Sequence, residues 1–342
     1  MKILLTADPE LPVPPMYYGG IERIIDSLAA AYREAGRTVL LVAHPESPCR
    51  HVDQLFGWPA QSSAGTGNIW KNLQFLRKIY QAHRPDVIHS FSRLLYLYGL
   101  LAAPEVRILQ SYQRAIHPQS TRLASFLLGK RLSFTACAAH LYQSLPVKDK
   151  FQTVYNFTDT RYYTPAQNPE KAYLLFLGRI EPIKGAAEAV QLAVKTGRRL
   201  ILAGNIPVGQ DAYFENQILP YLQPGRIEYA GPVTEAQKLP LYQHAAAFLF
   251  PVQWEEPFGI VMAESLACGT PVIALNSGSV PEVIRSGVNG FICTSIPEME
   301  TAIGRIHEIS RATCRQTAVA RFSLETAGKA YLHILHQLRN GA

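Results

Sequence analysis

Two apolar runs joined by a helical pattern leave a chain few ways to fold, and residues 248–275 form such a unit. The run 248–252, FLFPV, leads into an acidic loop with a Pro. A helical pattern then ends at Gly269, and Thr270-Pro271 opens the second run, VIAL, at 272–275. Short apolar runs bounded by turn residues read as buried strands, so the order is strand, loop, helix, strand.

The same alternation runs through the chain. Residues 2–6, 38–43, 86–89, 133–138 and 154–157 read as strands in the first half, with helices over 21–36, 69–83 and 120–132. In the second half, strands over 173–177, 199–203 and 227–229 alternate with helices over 186–196, 212–222 and 235–245. A last helical stretch covers 324–338. Alternating strands and helices imply parallel sheets with helices on both faces, an α/β class. Residues 45–67, rich in Pro, Gly and Ser, read as loop. At 342 residues the chain is expected to divide into two domains, each of ~150 residues. The boundary is expected near 157–167, where Pro165, Asn168 and Pro169 signal a linker.

Composition narrows the class. Hydrophobic residues make up 48% and charged residues 17%, as in folded soluble proteins. No apolar run approaches the ~18 residues of a spanning helix, and the stretch 94–103, LLYLYGLLAA, falls far short. The start, MKILLTADPE, is broken by Asp8 and Pro9 and does not read as a secretory signal. The five cysteines lie far apart with no CxxC, which points to neither a zinc site nor a disulfide framework and fits a reducing cytoplasm. Residues 1–157 hold 17 Lys and Arg against 10 Asp and Glu, and the remainder 16 against 16, so the first half carries the whole excess of +7. A basic face attracts anionic lipid, nucleic acid or acidic substrates, or simply aids solubility. No aromatic-plus-basic nucleic-acid motif accompanies it.

Three places carry candidate chemistry. Glu256 and Glu264 stand eight apart, the first on the loop entering the helix at Phe258-Gly259-Ile260, the second more than a turn along it. Carboxylates accept hydrogen bonds only, so vicinal hydroxyls of a ribose or hexose are natural partners. The helix N-terminus beneath them offers free N–H groups to a phosphate or sugar oxygen. The same acids could instead complement the helix dipole on a solvated face. Upstream, the run YLLFL at 173–177 ends in GRIEPIKG, where Arg179 and Lys184 lie between Gly178 and Gly185 before a helix. That is the layout of an anion site at the end of a parallel strand, with a surface ion pair as the plainer reading. Near the N-terminus, Gly19 and Gly20 open a helix after four prolines. They either bring backbone close to a phosphate or make a tight packing turn, and they are not the G-x-G-x-x-G of a dinucleotide site. No cluster of Asp or His at ligand spacing lies near these motifs, and no Asp-x-Asp metal signature occurs.

Taken in order, GRIEPIKG, LAGN, YAGPV, EEPFGIVMAESLACGTPVIA and PEVIRSGVNGF resemble the C-terminal half of retaining glycosyltransferases of the large family numbered four, closely over residues 170–295. The resemblance implies the GT-B fold: two Rossmann-like, doubly wound parallel-sheet domains facing across a cleft. The first, 1–160, would be the acceptor side, with the final helix, 324–342, packed back on it. The second, 161–323, would bind the donor. It implies transfer of a hexose from a UDP- or GDP-sugar to a hydroxyl acceptor with retention, without cofactor or metal. Arg179 and Lys184, with backbone N–H groups at Gly20 and at Phe258, Gly259 and Ile260, would stabilise the leaving diphosphate. Glu264 would hold the ribose and Glu256 the hexose, with Gly19 and Gly20 on the diphosphate side. An epimerase, a phosphorylase, or a binding module without turnover would use the same loops.

His89 ends a strand on the ligand side of its sheet. The family often has a second histidine two residues on, where this chain has Phe91. His89 therefore reads either as an acceptor-side residue or, in preference, as a core histidine hydrogen-bonded to backbone. Residues 120–132, STRLASFLLGKRL, place Leu123, Phe126 and Leu127 on one helical face and Arg122, Lys130 and Arg131 elsewhere. That pattern is compatible with a peripheral position at the inner face of a membrane, although an ordinary domain helix with solvated cations is the simpler reading.

Overall fold

The structure is a computed structural model and describes residues 1–16 and 19–341; residues 17–18 of the Pro-rich loop and 342, the last of the expected C-terminal segment, lie outside the described residues. The chain divides into two compact units, one formed by 1–156 with 324–342 and the other by 157–323.

The first unit is built on seven parallel strands: β1 (Lys2–Thr6), β2 (Thr38–Ala43), β3 (Gln54–Gly57), β4 (Val87–Ser90), β5 (Ile108–Tyr112), β6 (Leu132–Ala136) and β7 (Phe151–Thr153). Their order across the sheet is β3-β2-β1-β4-β5-β6-β7, so the direction of winding reverses between β1 and β4. The helices are α1 (Gly20–Glu34), α2 (Thr66–His83) and α3 (Pro118–Leu128). Leu76 and Ile79 of α2, Leu97 and Leu100 of a 3-10 helix at Leu94–Leu100, and Ala124 and Leu128 of α3 share one buried cluster with Leu4, Ile88 and Ile108 of the sheet. Such clusters hold a sheet because each buried apolar side chain adds about 1.5–3 kcal/mol.

The second unit has six parallel strands: β8 (Tyr173–Leu177), β9 (Leu200–Ala203), β10 (Ile227–Tyr229), β11 (Ala245–Phe250), β12 (Val272–Leu275) and β13 (Gly290–Cys293). The order is β10-β9-β8-β11-β12-β13, which reverses between β8 and β11. Its helices are α4 (Ala186–Thr196), α5 (Asp211–Gln217), α6 (Glu235–His244), α7 (Ile260–Ala267), α8 (Val280–Val283), α9 (Ile296–Gly304) and α10 (Arg311–Phe322). The last helix, α11 (Leu324–Asn340), belongs to the first unit and brings Tyr331 against His89 there. Among the described residues no helix is long and apolar enough to cross a membrane.

Four local readings change, the first being the helix expected over 212–222, which ends at Gln217 and gives way to a 3-10 turn at Leu219–Tyr221. Residues 154–157 do not form a strand; the edge strand is β7, and Val154 only extends its pairing by donating to the Ala136 carbonyl at 3.1 Å. The stretch 45–67 is not all loop, since β3 lies within it and pairs with β2 from Leu40↔Gln54 to Ala43↔Gly57. The helix expected to run through 132 stops at Leu128, where Gly129 turns the backbone to φ +61°.

His89 is fully buried on β4. Nδ1 lies 3.0 Å from the Tyr32 hydroxyl and Nε2 2.7 Å from Ser111 Oγ, which in turn lies 2.5 Å from Thr135 Oγ1. With both nitrogens occupied and no exposed edge, His89 is a core residue of the first unit, held by side chains. Burial also pulls its pKa from the ordinary 6.5 down to about 3, so the folded protein holds it neutral.

The sign of the resulting pH dependence follows. Between about pH 6.5 and 3 the unfolded chain binds a proton at this site that the folded chain does not, so stability falls as pH drops through that window. The slope from this group is about 1.4 kcal/mol per pH unit. His89→Gln, which keeps a donor and an acceptor, should show less loss of stability between pH 6.5 and 5 in urea unfolding. Identical pH slopes in the two proteins would remove His89 from this role.

Candidate active site

The two candidate loops of the second unit leave neighbouring strands. Arg179 and Lys184 follow β8, Glu256 follows β11, and these strands pair from Ala245↔Tyr173 to Phe248↔Leu175. The reversal of winding in this sheet falls between them, and open α/β sheets place ligands at such a point, beyond the carboxyl ends of the strands. The loops are tied together directly. Lys184 Nζ lies 2.5 Å from Glu256 Oε2, with the two side chains only 17% and 13% exposed, so solvent screens the pair weakly. Trp254 completes the cluster: its Nε1 donates to the same Oε2 at 2.9 Å, and Lys184 Nζ stands 4.9 Å from its ring centroid. Arg179 is more open, at 36%, and pairs with Glu181 at 2.7 Å.

Backbone geometry explains the glycines here. Gly259 caps α7 in the left-handed region at φ +72°, and a Cβ there would stand 2.9 Å from both Phe250 Cζ and Met262 Cε. Only glycine adopts that backbone cheaply, and it brings the chain down onto the strand before releasing it into the helix. Phe258, beside it, is buried against Phe322, so its side chain anchors the turn and leaves only backbone for a ligand. Gly185, at φ +78°, also has no room for a Cβ, which would fall 2.0 Å from the Pro251 carbonyl oxygen. Its close approach is to the β11 loop of its own unit.

Glu264 has different company. On α7 it is 6% exposed; Tyr242 donates to Oε2 at 2.9 Å, and Lys238 Nζ lies 3.6 Å from Oε1. Tyr242 and Lys238 both come from α6, four residues apart and hence on one face. Lys238 also pairs with Glu235 at 2.8 Å, and Glu235 accepts from Tyr163. Burial raises the Glu264 pKa, an effect that the Lys238 charge opposes. Glu256 and Glu264 thus meet different neighbours, one on the β8 loop and one on α6. Trp254, Lys238 and Tyr242 escaped the sequence reading. Trp254 had a signal in its place two residues before Glu256, whereas the reach of α6 to Glu264 spans more than twenty residues and leaves no local pattern.

In the first unit, Gly20 is the first residue of α1 and Gly19 its cap at φ +151°. A Cβ on Gly19 would come within 2.6 Å of Pro15 Cγ and 2.8 Å of Glu22 Oε2, so no side chain fits at this turn. Among the described residues no three His, Cys, Asp or Glu side chains come together as a metal site.

The cap at Gly259 makes a direct test. Gly259→Ala should destabilise the second unit by roughly 1–3 kcal/mol through backbone strain and the contact with Phe250. Thermal unfolding of the variant at the wild-type midpoint would show that the loop accommodates a side chain.

Known proteins of related sequence place this geometry. Residues 164–317 match the family model of glycosyl transferases group 1, and residues 18–163 match that of glycosyltransferase family 4. The glycogen synthase of Mycobacterium tuberculosis (strain CDC 1551 / Oshkosh) is 22% identical across 94% of this chain and 89% of its own. Among solved structures, a glycosyltransferase from Rickettsia africae ESF-5 superposes with a TM-score of 0.82 at 17% identity, covering 100% of this chain and 99% of that one. Anabaena HepE in complex with UDP-glucose superposes at 0.73 and 18% identity, covering 98% and 100%. The two family matches run without a gap across residues 18–317, and the fold is shared with glycosyltransferases of the GT-B type: the chain belongs to the group 1, family 4 glycosyltransferases.

Proposed function

We propose that this glycosyltransferase moves a hexose from a UDP- or GDP-sugar to a hydroxyl acceptor with retention of configuration, the second unit binding the donor and the first the acceptor. The observation that carries the reading is the Lys184–Glu256 ion pair, which joins the β8 and β11 loops at the point where the sheet reverses. A leaving diphosphate gains negative charge as the glycosidic bond breaks, and fixed cations and N–H groups in a dry site stabilise it most. Arg179 and Lys184 supply the cations, and the first turn of α7 after Gly259 supplies N–H groups. Glu256, held between Lys184 and Trp254, receives hydroxyls of the donor hexose. Glu264, braced by Tyr242 and Lys238, receives those of the ribose, since an ionised carboxylate accepts about four hydrogen bonds. The UDP-glucose complex of the HepE neighbour supports a nucleotide sugar as donor.

Arg179→Ala and Lys184→Ala should each lower turnover ~10²–10³-fold, the usual loss for one such donor. Glu264→Gln should weaken nucleoside diphosphate binding by about 1.5–3 kcal/mol in calorimetry, and Glu256→Gln should spare it while impairing use of the sugar donor. Activity should persist in EDTA. Wild-type rates in both cation variants, or equal nucleotide losses in both glutamate variants, would overturn these assignments. Product formed only when an acceptor alcohol is present separates transfer from epimerisation.

A peripheral contact of the first unit with an anionic membrane is the second reading, favoured by α3. Phe126 is 83% exposed and Leu123 50%, beside Arg122 and Lys130. Arg131 does not share this role, because it donates to the carbonyls of Leu100, Ala103 and Leu128. Phe126→Ser with Arg122→Gln and Lys130→Gln should lower sedimentation with anionic vesicles, and 1 M salt should lower it in the wild type, where the Debye length is ~3 Å. Sedimentation unmoved by either change would return α3 to an ordinary solvated face.

A further inference from the structure

We propose that Trp254 is a positioning residue for the donor sugar: its indole N–H keeps Glu256 aimed once Lys184 turns part of its charge to a diphosphate. This rests on the donor reading above and adds to it which of the two partners of Glu256 sets the grip on the sugar.

Both partners meet Glu256 on one atom. Lys184 Nζ lies 2.5 Å from Oε2, and Trp254 Nε1 donates to the same oxygen at 2.9 Å. A carboxylate offers about four acceptor sites, two on each oxygen, so these two donors fill Oε2. Among the described residues no hydrogen bond reaches Oε1, which leaves that oxygen for the sugar. The direction in which Oε1 points is then set by whatever holds Oε2.

A bound donor acts differently on the two partners. Lys184 carries a charge and three protons, and a diphosphate competes for both, so its bond to Glu256 weakens when the donor arrives. The indole has a single proton in the plane of its ring and no charge to be drawn off. It is the constant partner. Its backbone is held from a third loop, the one after β12: Ser277 Oγ donates to the Trp254 carbonyl at 2.6 Å, the Gly278 N–H to Glu255 Oε2 at 3.1 Å, and the Ser279 N–H to the Glu256 carbonyl at 3.1 Å. Gly278, at φ +52°, packs so closely that a Cβ there would fall 2.4 Å from the Glu256 carbonyl oxygen. None of these contacts depends on Lys184. Nor does packing account for the residue, since Trp254 stays 37% exposed and ring burial alone would not set its N–H on a carboxylate.

The test measures, by calorimetry on the full chain, the affinities of UDP, GDP, UDP-glucose, UDP-galactose and GDP-mannose for wild type, Trp254→Phe, Glu256→Gln and the double variant. Trp254→Phe removes the N–H but keeps an aromatic ring beside Lys184, which stands 4.9 Å from the Trp254 ring centroid. It should weaken the nucleotide sugar that wild type binds best about five- to tenfold, the loss of one hydrogen bond to a charged group, and leave the nucleoside diphosphate within about twofold. In the Glu256→Gln background the same change should cost less than about twofold, because the carboxylate it aims is gone. Trp254→Leu, which also lacks the N–H, decides the matter if Trp254→Phe does not fold. Equal losses in both backgrounds, equal losses for nucleotide sugar and nucleoside diphosphate, or no loss in Trp254→Phe where Glu256→Gln does weaken the nucleotide sugar would overturn the proposal and leave the donor reading standing. A wild type that binds neither UDP nor GDP, or none of the nucleotide sugars, or a Glu256→Gln variant that binds them all as wild type does, would overturn the donor reading and this proposal with it.

Discussion

The ion pair between Lys184 and Glu256 is the constraint on which the second unit's site depends. It joins two loops that are 72 residues apart in sequence and adjacent only because β8 and β11 pair. Everything near it is arranged to make that pairing possible. Gly185 lets the β8 loop lie against the Pro251 carbonyl, and Gly259 lets the β11 loop turn into α7 under Phe250. The loops also brace each other through backbone, Gln253 donating to the Ile183 carbonyl at 2.9 Å. A charge pair so held is already oriented before a ligand arrives, which is the condition for electrostatic stabilisation without reorganisation.

Behind that first layer lies a second whose purpose is to keep a buried carboxylate in place. Glu264 would be costly to bury alone, and burial does raise its pKa. Tyr242 and Lys238 offset the cost by occupying one oxygen each, and Thr270 Oγ1, bonded to the Tyr242 carbonyl at 2.6 Å, ties α6 to the turn after α7. His89 in the first unit shows the opposite solution. It has no charge nearby to compensate, and it stays neutral between Tyr32 and Ser111. The two residues look alike as sequence candidates, each a titratable group among apolar neighbours. Their partners are set by tertiary packing, and only those partners separate a poised carboxylate from a structural imidazole.

How much was legible follows from the same distinction. The strands with unbroken apolar runs, such as β1, β2, β8 and β12, could be read directly, because burial on both faces writes itself into every position. The glycine-flanked loops and the Glu256–Glu264 spacing were visible because they are local. β5 went unread since its sequence, ILQSY, interrupts the apolar run with Gln110 and Ser111, and β3 was hidden among prolines and serines at the sheet's edge. The expected strand at 154–157 slipped by three residues, a typical error at an edge where only one side is paired. Lys238, Tyr242 and Trp254 required the fold, because a side chain's reach across helices has no period in sequence.

The interruption of β5 leads to the difference between the two units. Both sheets reverse direction once, yet the residues at the two reversals differ in kind. The second unit sets charge there: Arg179, Lys184 and Glu256 stand at the reversal, each in an ion pair. The first unit places neutral amides and hydroxyls along β5 and neutralises Arg114 with Asp8. Gln110 and Ser111, which hid β5 from a periodicity reading, are held in the core by partners from elsewhere in the unit, Gln110 by the Ser92 carbonyl and Ser111 by His89 and Thr135, and such partners leave no period in sequence.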